Sequence, residues 1–346
     1  KIMKLKWKVL LTVTLFVISC AGTAVAAQWA NPGLLVDAAT VKANIDKADW
    51  VVVDARELKD YVKGHIPGAI SLGKRGKKAF RDPTSRVFQD VSKYEKMLGK
   101  AGIGNDTHVV FYHGDIKTLN DATIGFWVME YLGHDKVHVL DGGLGAWRNA
   151  GNRLSKDPTI KKAKTFKANV VKSRYASTAE IVKIASGQAN GQIVDSRTKN
   201  EYIGKDVRGV QGGHVPTALN VSHLNTLLKV KDKKTGKMKA TDTYTADSVG
   251  KQFASLDKNK RTIGYCQTGT RSTLTYLQLR LLGFKDPDNW DDSWRVYGSD
   301  LHATNPIEAP NGVQYYNFAK VNKSIKKLEK KVKKLEAELK KLSGGK

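Results

Sequence analysis

Trp50-Val51-Val52-Val53-Asp54-Ala55-Arg56 returns, about 140 residues later, as Gln192-Ile193-Val194-Asp195-Ser196-Arg197. Each stretch is a short apolar run that closes on Asp-x-Arg, the pattern of a buried strand with a polar end. The segments downstream repeat as well. Tyr61 and Gly64-His65-Ile66-Pro67-Gly68-Ala69 lie beyond the first run, and Tyr202 and Gly213-His214-Val215-Pro216-Thr217-Ala218 beyond the second. A second apolar run comes next in each half, His108-Val109-Val110-Phe111-Tyr112 and Arg261-Thr262-Ile263-Gly264-Tyr265. Each opens into a helical pattern, 122–132 and 272–282, and reaches Leu132-Gly133-His134 or Leu282-Gly283-Phe284. Features matched in the same order mark an internal repeat. Strands alternating with helices imply an α/β fold in which each half is a mainly parallel sheet flanked by helices. The expected domains are 30–155 and 173–310, with the lysine-rich stretch 156–172 as linker.

The ends read differently from this body. Lys1, Lys4, Lys6 and Lys8 precede the apolar run 9–18, and Ala24-Val25-Ala26 supplies small residues for cleavage before Ala27. Residues 1–26 therefore read as a signal peptide, and the mature protein as exported or periplasmic. Val17-Ile18-Ser19-Cys20 resembles a lipobox, so a membrane-anchored lipoprotein lipidated at Cys20 is the alternative. At the other end, Ile325, Leu328, Val332, Leu335, Leu339 and Leu342 make an a/d seam over 322–343. That heptad-repeat helix is expected to join copies of the chain into a homo-oligomer, with docking on the chain's own body or approach to anionic lipid as the alternatives.

The net charge of +26 is concentrated in part at these two ends. A basic body favours small anions; no nucleic-acid motif accompanies the charge. Cys20 and Cys266 are the two cysteines, and neither has a partner at metal-ligand spacing. No metal or organic cofactor is expected.

Cys266-Gln267-Thr268-Gly269-Thr270-Arg271 sits where the second strand of the second half turns into its helix. Backbone N–H groups converge there at the positive end of the helix dipole. Gly269 permits conformations that a β-carbon forbids. Arg271 adds positive charge, and all three influences favour thiolate over thiol. In the first half the equivalent position holds His113, in Tyr112-His113-Gly114-Asp115. With no thiol at that position, that half is expected to be silent. His65 and His214 are expected to brace turns through hydrogen bonds.

The repeat, the Asp-x-Arg strands, the Gly-His-x-Pro motifs and the six-residue cysteine loop resemble the tandem-domain rhodaneses, the thiosulfate and mercaptopyruvate sulfurtransferases. Val139-Leu140-Asp141-Gly142-Gly143 with Trp147 looks like the close of the first rhodanese-like domain. Asn289-Trp290-Asp291-Asp292-Ser293-Trp294 with Pro306-Ile307-Glu308 looks like the close of the second. The resemblance implies sulfur transfer from a small anionic donor to a thiol or cyanide through a Cys266 persulfide. Cys266 is then the catalytic residue, and Gln267, Thr268, Gly269, Thr270, Arg271, Arg197 and Arg208 are candidates for binding the substrate.

Three rival readings stand beside this one. Dual-specificity phosphatases of the same fold use Cys-x5-Arg, whereas Cys266 to Arg271 is Cys-x4-Arg and suits a smaller anion. A non-catalytic sulfur-carrier module is the second rival, and the intact Cys266 loop speaks against it. The third is a 3-mercaptopyruvate sulfurtransferase. Members of that type usually carry Cys-Gly-x-Gly and an extra Arg after Asp-x-Arg; here Gln267 and Glu201 occupy those positions. A carboxylate disfavours a carboxylate-bearing donor, so thiosulfate is the expected donor, with Arg208 as a substitute cation.

Overall fold

The computed structural model describes residues 28–84, 86–299, 305–312 and 316–343. The leader, including Cys20 and the cleavage position, lies outside the described residues. The first half forms a five-stranded parallel sheet of β1 (Leu35–Val36), β2 (Trp50–Asp54), β3 (Ile70–Ser71), β4 (His108–Tyr112) and β5 (Val137–Leu140), in the order β1-β5-β4-β2-β3. In the second half β6 (Gln192–Asp195), β7 (Leu219–Asn220), β10 (Thr262–Tyr265) and β11 (Pro287–Asn289) give the parallel order β11-β10-β6-β7. The same arrangement thus appears twice. The first sheet's extra edge strand is reduced in the second to a single parallel bridge, Tyr175 to Asn289. An exposed antiparallel hairpin, β8 (Lys229–Lys231) with β9 (Met238–Ala240), is an insertion without counterpart among the described residues of the first half.

The apolar strands are buried because each sheet is covered on both faces. Their outer faces pack separate clusters, Val52, Val110 and Trp147 in one half and Ile193, Ile263 and Trp294 in the other. Their inner faces share one cluster that crosses between the halves, joining Phe111, Phe126 and Trp127 to Leu274, Tyr276 and Leu277. Helices Leu119–Tyr131 and Ser272–Leu281 meet in this seam and are buried almost all round. A helix so enclosed has no polar face to maintain. Polar contacts pin the seam: Thr123 Oγ1 lies 2.7 Å from Thr273 Oγ1, and Glu130 takes hydrogen bonds from Tyr276 Oη (2.5 Å) and Arg280.

The stretch 156–172 is a strap along the first domain rather than a loose tether. Lys164 N–H donates to Gly99 O, Asn169 N–H to Leu132 O and Val171 N–H to Tyr131 O, and Phe166 is buried. The terminal helix runs Phe318–Ser343. Its seam is uncovered by the chain's own body: Ile325, Leu328, Val332, Leu335, Leu339 and Leu342 are 41–83 % exposed.

Candidate active site

Cys266 follows β10 directly and the helix begins at Ser272, so 266–271 form the turn between them. The thiol is fully buried. Its backbone N–H donates to Ser293 Oγ (3.2 Å), and that hydroxyl donates to Trp290 O (2.7 Å). Gly269 has φ +68°, and a β-carbon there would stand 2.6 Å from Asp291 O, so both conformation and space require glycine. Burial is the largest single influence on Cys266 and opposes ionisation. The Arg271 charge and hydrogen bonds from the Thr268 and Ser272 N–H groups outweigh it, and the thiol sits below its ordinary range.

Arg271 is itself engaged. Its two Nη atoms donate to Glu201 Oε2 (2.7 Å) and Oε1 (2.8 Å). Arg208 Nη1 reaches the same carboxylate at 3.1 Å. Burial pushes Glu201 up, but the Arg271 pair and the Thr198 donors hold it down to about 2. Arg271 is therefore half of a buried, compensated pair, not the unopposed charge that the sequence suggests. Beside it, burial and the Arg271 charge pull His223 down to about 4, which keeps the imidazole neutral at neutral pH.

A cavity of about 430 Å³ opens between the halves above this loop. Thr268, Thr270, Arg271 and Arg208 line it from one side, and Lys77 and Lys117 from the other. Four of the residues expected from sequence to bind substrate thus face one space. Gln267 does not line it; its side chain is buried and its carbonyl accepts the Arg295 N–H.

Arg197 requires a correction. It is 1 % exposed and bound to Asp195 (Nη2 to Oδ2 2.6 Å) and Gly213 O (2.7 Å), with Tyr265 Oη also on Asp195 (2.6 Å). Arg56, Asp54, Gly64 and Tyr112 repeat that cluster in the half that lacks the cysteine. An arrangement present in both halves is scaffold: it ties the strand end to the Gly-His-x-Pro turn. His65 and His214 brace these turns as expected, each within 3.0 Å of a tyrosine carbonyl, of Tyr61 and Tyr202 respectively, and stacked on that tyrosine's ring.

One participant left no mark in the sequence. Arg81, from the first half, donates from Nη1 to Thr268 O (3.1 Å) and Thr270 Oγ1 (2.7 Å) and from Nη2 to Gly269 O (2.8 Å), and pairs with Asp291. Among the described residues no group of three or more His, Cys, Asp or Glu is placed to hold a metal ion.

The family description of the rhodanese-like domain matches residues 37–150 and again 178–299. The chain belongs to the rhodanese family. A Mycobacterium leprae protein provisionally named thiosulfate sulfurtransferase is 32% identical over 287 residues, 78% of this chain and 96% of that protein. The thiosulfate sulfurtransferase of Corynebacterium glutamicum is 29% identical over 81% of this chain and 92% of its own length. Among solved structures, the 3-mercaptopyruvate sulfotransferase SseA of Escherichia coli superposes with a TM-score of 0.61 at 23% identity, covering 75% of this chain and 98% of that one. The anaerobic ergothioneine biosynthesis enzyme of Chlorobium limicola gives 0.68 at 22% identity over 82% of this chain and 72% of that one. These two show the shared fold. With its relatives named as they are, this rhodanese is a sulfurtransferase, which requires a sulfur donor and a thiophilic acceptor.

Proposed function

We propose that this rhodanese moves sulfane sulfur from thiosulfate to a thiol or cyanide through a persulfide on Cys266. The observation that carries the reading is the depressed, buried thiol of Cys266 in a loop whose Thr268, Thr270 and Arg271 line a cation-rich cleft. The Cys266 thiolate attacks the outer sulfur of thiosulfate. The S–S bond of the donor breaks, and its electron pair leaves with sulfite. The acceptor then attacks the terminal sulfur of the persulfide and returns Cys266 as thiolate. Each step exchanges one bond to sulfur for another, so no external oxidant or reductant enters. A covalent intermediate of this kind gives ping-pong kinetics. Thr268 and Ser272 N–H groups stabilise the sulfur anion at both ends of the cycle. Intact-mass measurement after thiosulfate treatment is expected to show one added sulfur, about 32 Da, absent from Cys266→Ser. No added mass on the wild type would end this reading.

One observation keeps mercaptopyruvate as a second donor to be assayed beside thiosulfate. Arg208 stands half-exposed at the cleft, where a carboxylate would meet it. Export is proposed from the leader, with Ala27 as the first residue of the mature chain. N-terminal sequencing of protein from the native host tests this, and a diacylglyceryl group on Cys20 would replace soluble export by a lipid anchor. No described helix is long and apolar enough to cross a membrane.

A further inference from the structure

Arg81 belongs to the half without the cysteine, yet it is built into the catalytic loop. Its mount is rigid. The helix Gly76–Ala79 just before it lies so close to its neighbour that a β-carbon on Gly76 would stand 2.0 Å from Asp121 O. Phe80 O accepts the Tyr94 hydroxyl (2.7 Å). From this base the guanidinium, 1 % exposed, crosses the domain boundary and binds the Thr268 and Gly269 carbonyls and the Thr270 hydroxyl. Asp291, its ion-pair partner, also accepts the Val87 N–H (3.0 Å), a second tie to the first domain.

The consequence lies in peptide geometry. A trans peptide carries its N–H on the side opposite its C=O. A group that fixes the carbonyls of residues 268 and 269 therefore fixes where the N–H groups of residues 269 and 270 point. Arg presents a planar fork of donors, whereas a Lys ammonium is a compact point charge that spans these acceptors poorly. Because Asp291 neutralises Arg81, the guanidinium adds little net field at the sulfur, and its contribution is the shape of the loop. We propose that Arg81 is a positioning residue for sulfur transfer, holding the peptides in the middle of the catalytic loop so that the Thr268 and Ser272 N–H groups that flank them stay directed at Cys266, and that the cysteine-less domain is thereby part of the active site. The proposal rests on Cys266 as nucleophile.

The test is the pH midpoint of Cys266 alkylation by iodoacetamide on the full chain, with kcat and KM for thiosulfate measured alongside. Removing Arg81 alone strands the buried Asp291 carboxylate, so Arg81→Met/Asp291→Asn is compared with Arg81→Lys, and Arg81→Lys carries the test if the double variant does not fold. Glu130→Gln, which breaks a domain contact away from the loop, is the control. Both Arg81 variants are expected to raise the midpoint by about one unit and lower kcat at neutral pH about tenfold. Glu130→Gln is expected to leave the midpoint unchanged. A folded Arg81 variant with the wild-type midpoint overturns the proposal. So does full recovery by Arg81→Lys, which would assign the effect to charge, or an equal shift in Glu130→Gln, which would assign it to domain docking in general. Failure of the persulfide reading is distinguishable, because alkylation reports the thiol whether or not thiosulfate is turned over.

Discussion

Two loops of equal length succeed equivalent strands, 113–118 after β4 and 266–271 after β10, and each runs into a helix of the shared seam. In the first, the N–H groups of Gly114 and Asp115 both donate to Thr118 Oγ1, at 2.9 and 3.1 Å. In the second, Arg271 takes the place of Thr118, and the Thr268 and Ser272 N–H groups turn to the sulfur. The first loop also carries an acid, Asp115, which accepts the Lys117 N–H (2.9 Å). His113 is wedged into the boundary: Nε2 lies 3.2 Å from Asp242 of the other half, and Gly143 lies so close that a β-carbon there would stand 2.9 Å from two ring carbons. The half that carries His113 therefore differs in more than the position of the nucleophile. Its donors are spent on a hydroxyl, its cation is gone, and its imidazole has become a spacer between domains. The fold is common to both halves, and the difference between them lies in the loop and in what reaches it.

The sharpest way to break this comparison is at the nucleophile. Cys266→Ser is expected to abolish sulfur transfer with the fold intact, judged by thiosulfate turnover and thermal melting. His113→Ala should retain activity within about twofold, since it disturbs only packing at the domain boundary. The converse exchange sharpens the point. His113→Cys in the Cys266→Ser background is expected to stay inactive and to form no persulfide by intact mass. Asp115 N–H, the counterpart of the Thr268 donor, is already bound to Thr118. Recovery of turnover would show that the nucleophile alone separates the halves.

Arg271→Ala comes next in size. Losing the cation beside the developing anion is expected to cost about 2–4 kcal/mol in kcat/KM for thiosulfate. The Cys266 alkylation midpoint should rise at the same time. Unchanged kinetics would remove Arg271 from the site. Glu201→Gln separates stability from catalysis. Glu201 titrates lower in the folded chain than in the unfolded one, so its contribution is present above the unfolded value and lost as pH falls toward about 2. Between about pH 4.5 and 2 the wild type should lose more stability than Glu201→Gln, measured by denaturant midpoints across that range. Parallel curves for the two proteins would dismiss the ion pair as a source of acid sensitivity.

The duplicated α/β fold was legible because strand ends and Gly-His-x-Pro turns are local patterns that must repeat wherever the backbone repeats. That Thr268, Thr270, Arg271 and Arg208 would share one cleft was legible for the same reason: loop residues are written contiguously, or close to it. Arg197 misled because a motif that closes a strand and a motif that binds substrate look alike in one sequence. Only the matching Arg56 cluster in the half without the cysteine separates them. Arg81 was illegible, since it acts across a domain boundary on residues 187 to 189 positions away. Glu201 was noticed for its sign, but its pairing with Arg271 depends on a capped turn of helix, Lys199–Tyr202, whose orientation no spacing rule reveals. The strap over 156–172 read as a linker because its lysines are polar; its backbone pairs with loop and helix-end carbonyls that carry no side-chain signature.

The smallest expected effect on activity belongs to the terminal helix. Its base is held by the catalytic half: Asn317 N–H donates to Val210 O, and Lys320 Nζ to Arg208 O (2.5 Å). Beyond that point the a positions Ile325, Val332 and Leu339 and the d positions Leu328, Leu335 and Leu342 all stand exposed. A helix of three heptads is marginal in water unless its apolar stripe is covered. Lys331 at g and Glu336 at the following e would attract across a parallel pair, whereas the b and c positions are lysines that must stay in solvent. A second copy of the seam meets both demands. Deleting residues 323–346 is therefore expected to convert an oligomer into a monomer by light scattering at micromolar concentration, with kcat for thiosulfate unchanged. The cleft and the Cys266 loop lie wholly within the two domains, so a large loss of activity on deletion would mean that the helix beyond residue 322 reaches the site. A full-length protein that is already monomeric would leave the seam without a second copy to cover it and rule out the coiled-coil assignment.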